Sequence, residues 1–394
     1  MPGVKGVGAV PPIVFAYIAS RCLTDTRPLP HTVRMTAQRI SSLTPIAQVL
    51  ARVAVLAQPV GPREVALPDA EGRVLSADIS VDRPWPATAI ALADGWAVHS
   101  DRVADAGPYA PMPLHPAPER VDAGNVLPRD TDAVLPPDAV TTGAGGAEAH
   151  AAVTAGDGVL AAGADAAPDR PLRLAGERLR AVDVAALQAV GISRVRVREP
   201  RVRVVSVGAD MAALAIARGV AAQGANVIFV RALERALAED ADAVIAVGGT
   251  GAGRDDTSVT LLARAGQVDI HGFGLLPGET AALGSVRQQP VLLLPARLDA
   301  ALAGFVVVGA PLLRRLTGAI TSQPDMPLTL SRKIVSTVGM TEVVPVRRSG
   351  EGIEPLAYGY WPMQALARAD GWVLVPAESE GFPAGAELAM RAFP

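Results

Sequence analysis

With one cysteine, Cys22, the chain has no internal disulfide and no zinc site built from several thiolates, which fits a reducing compartment. Histidine is almost as scarce. The five present, His31, His99, His115, His150 and His271, show no metal-ligand spacing, so a histidine-built metal centre is not expected. Aromatic residues make up only 4% of the sequence, no long basic run occurs and the formal net charge is −3, so the electrostatic footprint of a nucleic-acid binder is missing. Long apolar runs are missing as well. Gly8–Ser20 is apolar behind Lys5 but short and interrupted by Pro11-Pro12, a poor match to a signal peptide, and nothing else approaches the ~20 residues of a membrane span.

What the sequence does have is apolar content, 50% over 394 residues, enough for several cores; at roughly 150 residues per domain two to four are expected. Residues 1–40 lack a clear period and read as a tail. Thr44-Pro45 looks like an N-cap followed by proline at the first helical position, with Ile46, Val49, Leu50, Val53 and Leu56 at helical spacing behind it. A second helix is expected over Leu67–Ile79. From Asp82 to about Pro171 the composition shifts to proline, glycine, alanine and aspartate with short alternating stretches such as Trp96-Ala97-Val98, predicting a small β-rich lobe with loops at Thr141–Ala155 and Ala161–Ala167. Asp183 is an N-cap candidate for a helix stopped by Gly191.

Residues 202–318 change character. Apolar runs Val202–Val207, Asn226–Val230, Val244–Val247 and Val291–Leu294 alternate with helical stretches Met211–Ala222, Ala232–Ala238, Thr257–Ala265 and Leu298–Leu316, which predicts a parallel sheet in a three-layer α/β domain. Gln323–Leu328 reads as a linker. Ile334–Val338, Thr341–Val346, Gly371–Val375 and Glu387–Phe393 then read as short strands of a closing β domain.

The chemistry points to Asp240–Thr257, where Val244-Ile245-Ala246-Val247 breaks off at Gly248, Gly249, Thr250, Gly251 and Gly253, followed by Arg254, Asp255 and Asp256. A strand, glycine loop and helix start in this order can direct backbone N–H groups and a helix dipole at an anion, and the acidic pair could hold a divalent cation over it. A tight turn with Asp256 or Thr257 as helix cap is the alternative reading of the same residues.

The order of motifs resembles the molybdopterin molybdenumtransferase family, MoeA and the E domain of gephyrin, over about residues 42–394. The motifs are L-T-P-I-A-Q-V-L-A-R-V, G-R-V-L-S-A-D-I, A-D-G-W-A-V (Ala93–Val98), A-G-N-V-L-P-R-D-T-D-A-V (Ala123–Val134) and L-A-G-E-R-L-R-A-V-D-V-A-A-L-Q-A-V-G-I (Leu174–Ile192). The glycine loop with Asp256, L-P-G (Leu276–Gly278) and A-D-G-W-V-L-V-P (Ala369–Pro376) follow. The resemblance implies a multidomain α/β protein: a tail at 1–40, a helical part over 41–198 with an inserted β lobe at about 82–171, a three-layer α/β molybdopterin-binding domain over 199–322 and a small C-terminal β-barrel over 323–394. It also implies a cytoplasmic homodimer that inserts molybdate into adenylated molybdopterin with release of AMP. Magnesium is the implied cofactor, and molybdoenzymes or the adenylyltransferase of the pathway are implied protein partners.

Carried over position by position, the resemblance gives Asp256, Asp94, Asp138 and Asp165 catalytic roles. Gly248, Gly249, Thr250, Gly251, Gly253, Asp210, Pro277 and Gly278 become substrate-binding, and Asp255 and Asp256 metal-binding. The family pattern is not kept throughout. T-G-D-E is here Val207-Gly208-Ala209-Asp210, G-E-D is Gly163-Ala164-Asp165 and N-S-A-M is Ile90-Ala91-Leu92-Ala93. P-G-K-P is Pro277-Gly278-Glu279-Thr280, and L-P-G-N-P is Leu294-Pro295-Ala296-Arg297-Leu298. A glutamate thus stands where a lysine would face phosphate, with Arg297 and Arg254 the neighbouring cations that could replace it. Three readings stay open: a working insertase, a molybdopterin-binding carrier without turnover, and an adenylyltransferase-like activity, for which G-G-T-G followed by Arg254-Asp255 speaks.

Overall fold

A computed structural model describes residues 40–143, 146–320 and 327–393, so the tail expected at the N-terminus lies, up to residue 39, outside the described residues. The chain forms two compact units. The first takes in Pro200–Leu313 together with the helix Ile46–Leu56 and the C-terminal strands; the second is Gln58–Glu199 with the segment that starts at Arg314.

In the first unit, helix α1 (Ile46–Leu56) buries Ile46, Val49 and Val53, as the spacing predicts. Its cap differs from expectation: Pro45 holds the N-cap position without a side-chain bond, because Thr44 is drawn into a backbone bridge with Phe273. The α/β part then runs β1 (Arg201–Ser206), α2 (Asp210–Ala222), β2 (Asn226–Val230), α3 (Leu233–Ala238), β3 (Ala243–Val247), α4 (Ser258–Ala265), β4 (Gln267–His271), β5 (Ala282–Val286), β6 (Gln289–Leu294) and α5 (Leu298–Gly304). The spatial order is β2-β1-β3-β6-β5-β4, with β2, β1, β3 and β6 parallel and β5 and β4 antiparallel. Central parallel strands covered on both faces need unbroken apolar runs. Every residue of β3 is accordingly buried, and Leu233, Leu237, Val259 and Leu262 of α3 and α4 pack on Val205, Val244 and Ala246.

The four strands expected to be parallel are so, and the antiparallel extension by β5 and β4 adds what the sequence did not announce. Its hairpin turns on Arg287 and Gln288, both with positive φ (50° and 68°), between the paired residues Val286 and Gln289. Such a turn usually announces itself by Asn-Gly or Asp-Gly, and this one does not. Beyond α5 the helix continues through a π-helical stretch, Phe305–Gly309, to Ala310–Thr317. Leu298–Thr317 is therefore long and apolar enough to cross a membrane, contrary to the sequence reading, but 72% of its apolar window is buried inside the protein, as in a core helix.

The C-terminal strands centre on Thr341–Ser349, which pairs with Gly352–Pro355, Gly371–Val375 and Leu275–Leu276. The ladders do not close. Glu387–Ala389 pairs with Pro327–Leu330, and only an isolated bridge, Trp372 to Arg391, links that end to Gly371–Val375, so no closed barrel forms among the described residues. The expected linker at Gln323–Leu328 is described only from Pro327, where it is already strand.

The second unit is richer in β structure than the helical part that the resemblance implies. Leu67–Ile79, expected as a helix, is a short 3-10 turn (Leu67–Ala70) and a strand (Val74–Leu75), because Gly72 takes a positive φ and Val74–Leu75 pairs with Arg194–Arg198. The stretch Thr141–Ala155, expected as a loop, contains the paired strands Val140–Gly143 and Gly146–Ala149. The buried Glu199 carboxylate forms ion pairs with Arg63 at 2.6 Å and Arg73 at 2.5 Å, linking the two outer strands of this sheet.

The one α-helix wholly inside the second unit's described residues, Ala181–Ala189, starts one turn earlier than expected. Asp183 sits in its first turn rather than at the cap and accepts the Arg180 N–H at 2.8 Å and the Arg180 guanidinium at 3.0 and 2.9 Å. The hydrogen bond from Arg180 holds the Asp183 carboxyl below its ordinary value against the cost of its burial, with Arg173 adding charge. A depressed native value stabilises the fold fully above the unfolded carboxyl range near ~3.9, and that stabilisation is lost as pH falls through the native value. Asp183→Ala is expected to cost about 1–2 kcal/mol at pH 7. In urea unfolding the difference between variant and wild type should shrink as the pH is taken below 3.9.

Candidate functional site: a cleft at the glycine loop

β3 ends at Val247, and the chain then turns under the end of β1. Gly248 donates its N–H to the Leu294 carbonyl at 2.8 Å, and Val207 donates to the Val247 carbonyl at 2.8 Å, so the three parallel strand ends are stitched together. Gly248 has φ +111°, and a Cβ there would stand 2.0 Å from the Val207 carbonyl oxygen; Gly249 has φ +69°, and a Cβ would meet the Ser258 hydroxyl at 2.5 Å. Only glycine fits this approach. Ser258, fully buried at the start of α4, locks the turn by donating its hydroxyl to the Gly248 carbonyl at 2.8 Å and its N–H to the Gly249 carbonyl at 3.0 Å.

The loop then lines an open cleft of ≈ 240 Å³ with the segments that follow β4 and β6. Thr250 meets Thr280 across it, hydroxyl to hydroxyl at 3.0 Å. His271, dismissed as a metal ligand, has Nε2 3.0 Å from the Thr250 carbonyl, which therefore accepts an N–H from that nitrogen. Asp256 lines the cleft, but its Oδ2 accepts the Gly253 N–H at 2.8 Å and sits over Gly251. The tip of the loop is thus filled by the loop's own carboxylate, which is the turn-forming alternative in the sequence. The nest expected to cradle an anion there is occupied from within.

Opposite the loop, Arg297 precedes α5 and grips Asp299, with Nε to Oδ1 at 3.0 Å and Nη2 to Oδ2 at 2.8 Å. Asp299 is 1% exposed and also accepts the Trp361 N–H at 3.1 Å, while the Tyr360 ring lies 5.1 Å from the guanidinium carbon. The hydrogen bonds to Asp299 hold the Arg297 guanidinium above its ordinary value, and the charges of Asp299 and Glu279 add to them. Glu279 also lines the cleft and accepts the Gly278 N–H at 2.9 Å. Arg254, the other candidate cation, is exposed on the loop and does not line the cleft.

Of the remaining candidates, Pro277 and Gly278 are buried behind Glu279, and Asp210 lies at the start of α2 outside the cleft lining. The Ser206 hydroxyl and then the Arg231 guanidinium at 3.2 Å hold the Asp210 carboxyl below its ordinary value. Asp94, Asp138 and Asp165 are exposed on three separate turns of the second unit, and Asp94 accepts the Ala123 N–H at 2.9 Å. Asp255 is exposed, Asp256 is engaged with Gly253, and no three His, Cys, Asp or Glu side chains converge as a metal site among the described residues. The cleft itself offers two carboxylates, Asp256 and Glu279, so a magnesium ion there would take most of its ligands from substrate oxygens and water. Sequence reasoning missed Thr280, Asp299 and Tyr360. An acid in a helix's first turn was a visible signal for Asp299; Tyr360 carried none.

Two family models match this chain: one described as the MoeA N-terminal region (domains I and II) over residues 44–191, the other as a probable molybdopterin binding domain over residues 208–315. The chain belongs to the MoeA family. Molybdopterin molybdenumtransferase 1 of Mycobacterium tuberculosis is 26% identical over 381 residues, covering 82% of this chain and 89% of that protein. A molybdopterin biosynthesis protein of Methanocaldococcus jannaschii is 27% identical over 157 residues, 39% of this chain but only 37% of that protein. Among solved structures, the molybdopterin biosynthesis MoeA protein of Pyrococcus horikoshii superposes with a TM-score of 0.71 at 25% identity, over 90% of this chain and 100% of that one.

The glycine requirement of this MoeA-family loop is open to test. Gly248→Ala must move backbone and is expected to destabilise by about 2–3 kcal/mol. Gly253→Ala, whose Cβ meets only the Asp256 carboxylate at 2.9 Å, should cost under ~1 kcal/mol because a side-chain end can shift. Urea midpoints of the two variants against wild type check the ranking.

Proposed function

We propose that this chain acts in molybdenum cofactor biosynthesis, placing molybdenum from molybdate on molybdopterin that arrives as its adenylate, with AMP released. One observation carries the reading: every residue lining the cleft, from Gly249 to Ala300, falls within the stretch matched by the molybdopterin binding domain. The relatives named molybdopterin molybdenumtransferase support the choice of reaction. A homodimer in the cytoplasm, and contact with molybdoenzymes or with the adenylyltransferase of the pathway, belong to the same proposal and rest on the family resemblance.

The residues present would bind and position. An adenylate joins pterin and nucleotide through a phosphoanhydride, so its cleavage by water moves negative charge onto the departing phosphate oxygen, and catalysis requires fixed donors at that point. Thr250 and Thr280 offer hydroxyls, and Arg297 offers a guanidinium already oriented by Asp299. Asp256 holds the loop in shape through Gly253. Magnesium, if bound, would be held by Asp256 and Glu279 together with substrate oxygens and would add positive charge at the phosphate.

A second reading, pterin binding without turnover, is favoured by one feature. The cleft is lined by two carboxylates, Asp256 and Glu279, and its cation is already paired with Asp299. Incubating the protein with adenylated molybdopterin, molybdate and magnesium and following AMP release and molybdenum retention separates the two. The insertase reading expects both. Tight pterin binding with no AMP would replace it by the carrier reading. Asp256→Ala is expected to lower AMP release at least ~10-fold by loosening the loop, on the scale of a lost positioning group; unchanged turnover would mean that chemistry takes place elsewhere.

A further inference from the structure

The cleft has one wall that repels a phosphate and one that can receive it. On the loop side, the Asp256 carboxylate already occupies the Gly253 N–H, so a second anion there meets both a used donor and a like charge. On the other side stands Arg297, the only cationic side chain among the described lining residues. Its Nε and Nη2 are spent on Asp299, whereas Nη1 has no partner among the described residues, and the side chain is 56% exposed. A guanidinium fixed on one edge by a buried carboxylate and on one face by Tyr360 presents its remaining N–H groups with little rotamer freedom left to lose.

We propose that Arg297 is the phosphate-receiving group of this cleft, that Asp299 is its positioning residue, and that Glu279 opposes binding there. The ligand class is a phosphomonoester or phosphoanhydride; that it belongs to a pterin nucleotide rests on the function proposed above. Arg297 thereby takes over, from the start of α5, the charge role left open where Glu279 stands in place of a lysine. Glu279 stays tolerated because its carboxylate is bonded to the Gly278 N–H, yet its charge still faces the cleft.

The test uses the full-length protein and calorimetric binding of inorganic pyrophosphate and of AMP. Arg297→Gln is expected to weaken pyrophosphate binding ~10-fold or more, as for loss of a charge-assisted pair. Arg297→Lys should recover only part of this, because an ammonium cannot fork. Glu279→Gln should tighten binding ~3-fold by removing the opposing charge. Asp299→Asn should weaken binding in the wild-type background but add little to Arg297→Gln, a non-additivity that a merely structural role would not produce.

Pyrophosphate binding by Arg297→Gln equal to wild type, or a loss that follows Arg254→Gln instead, would overturn the assignment. Should Asp299→Asn fail to fold, the Arg297 and Glu279 variants still decide the question. Pyrophosphate binding that depends on Arg297 in a protein that releases no AMP from adenylated molybdopterin would uphold this site and sink the proposed reaction. AMP release that persists undiminished in Arg297→Gln would do the reverse.

Discussion

The cleft depends on how closely the backbone of Gly248 passes the carbonyl of Val207. That approach lets β1, β3 and β6 end at one level, and ligands of open α/β sheets bind beyond such carboxyl ends. From it follow the left-handed turn through Gly249, the buried Ser258 that closes it and the direction in which Thr250 and Asp256 leave the sheet. The glycines are required here by strand packing before any ligand is considered. Their presence in the sequence is therefore evidence for the turn first and for phosphate binding second.

One ion pair, Arg297–Asp299, and one carboxylate held by its own loop, Asp256, face each other across this space. Asp256 is satisfied by its own loop and Arg297 by Asp299, leaving a cleft whose residual polarity lies in two threonine hydroxyls, the unspent edge of a guanidinium and the Glu279 carboxylate. Asp299 does more than orient Arg297. By also accepting the Trp361 N–H it fixes the loop that carries Tyr360, so one buried carboxylate coordinates the start of α5 with a segment more than sixty residues further along the chain. Such a group is costly to bury and tolerable only because each of its oxygens is hydrogen-bonded.

Legibility from sequence followed burial. The central parallel strands β1, β3 and β6 stood out because both of their faces are covered, which leaves unbroken runs such as Val202–Val207 and Val244–Val247, whereas the edge strand β2 stood out by its apolar run although it is half-exposed. α1 stood out because one face only is covered. The hairpin between β5 and β6 was hidden by a turn of arginine and glutamine, and Leu67–Ile79 misled because its apolar residues suit a helix while its pairing with Arg194–Arg198 comes from far along the chain. At the site, the loop was readable as a loop. The direction in which Asp256 points, and the choice of Arg297 over Arg254 as the cation that reaches the cleft, are set by tertiary packing that no local pattern encodes.

The ion pair between Arg52 of α1 and Asp269 of β4, at 3.0 Å, joins positions 217 residues apart. During synthesis α1 leaves the ribosome long before the strands it packs on exist, and Gln58–Glu199 of the second unit emerges in between. An isolated eleven-residue helix is marginal in water. Its docking must therefore wait until β4 and β6 have been made, and the early folding of the intervening unit shortens the effective loop that has to be closed. The first helix among the described residues can dock only once β6 has been made.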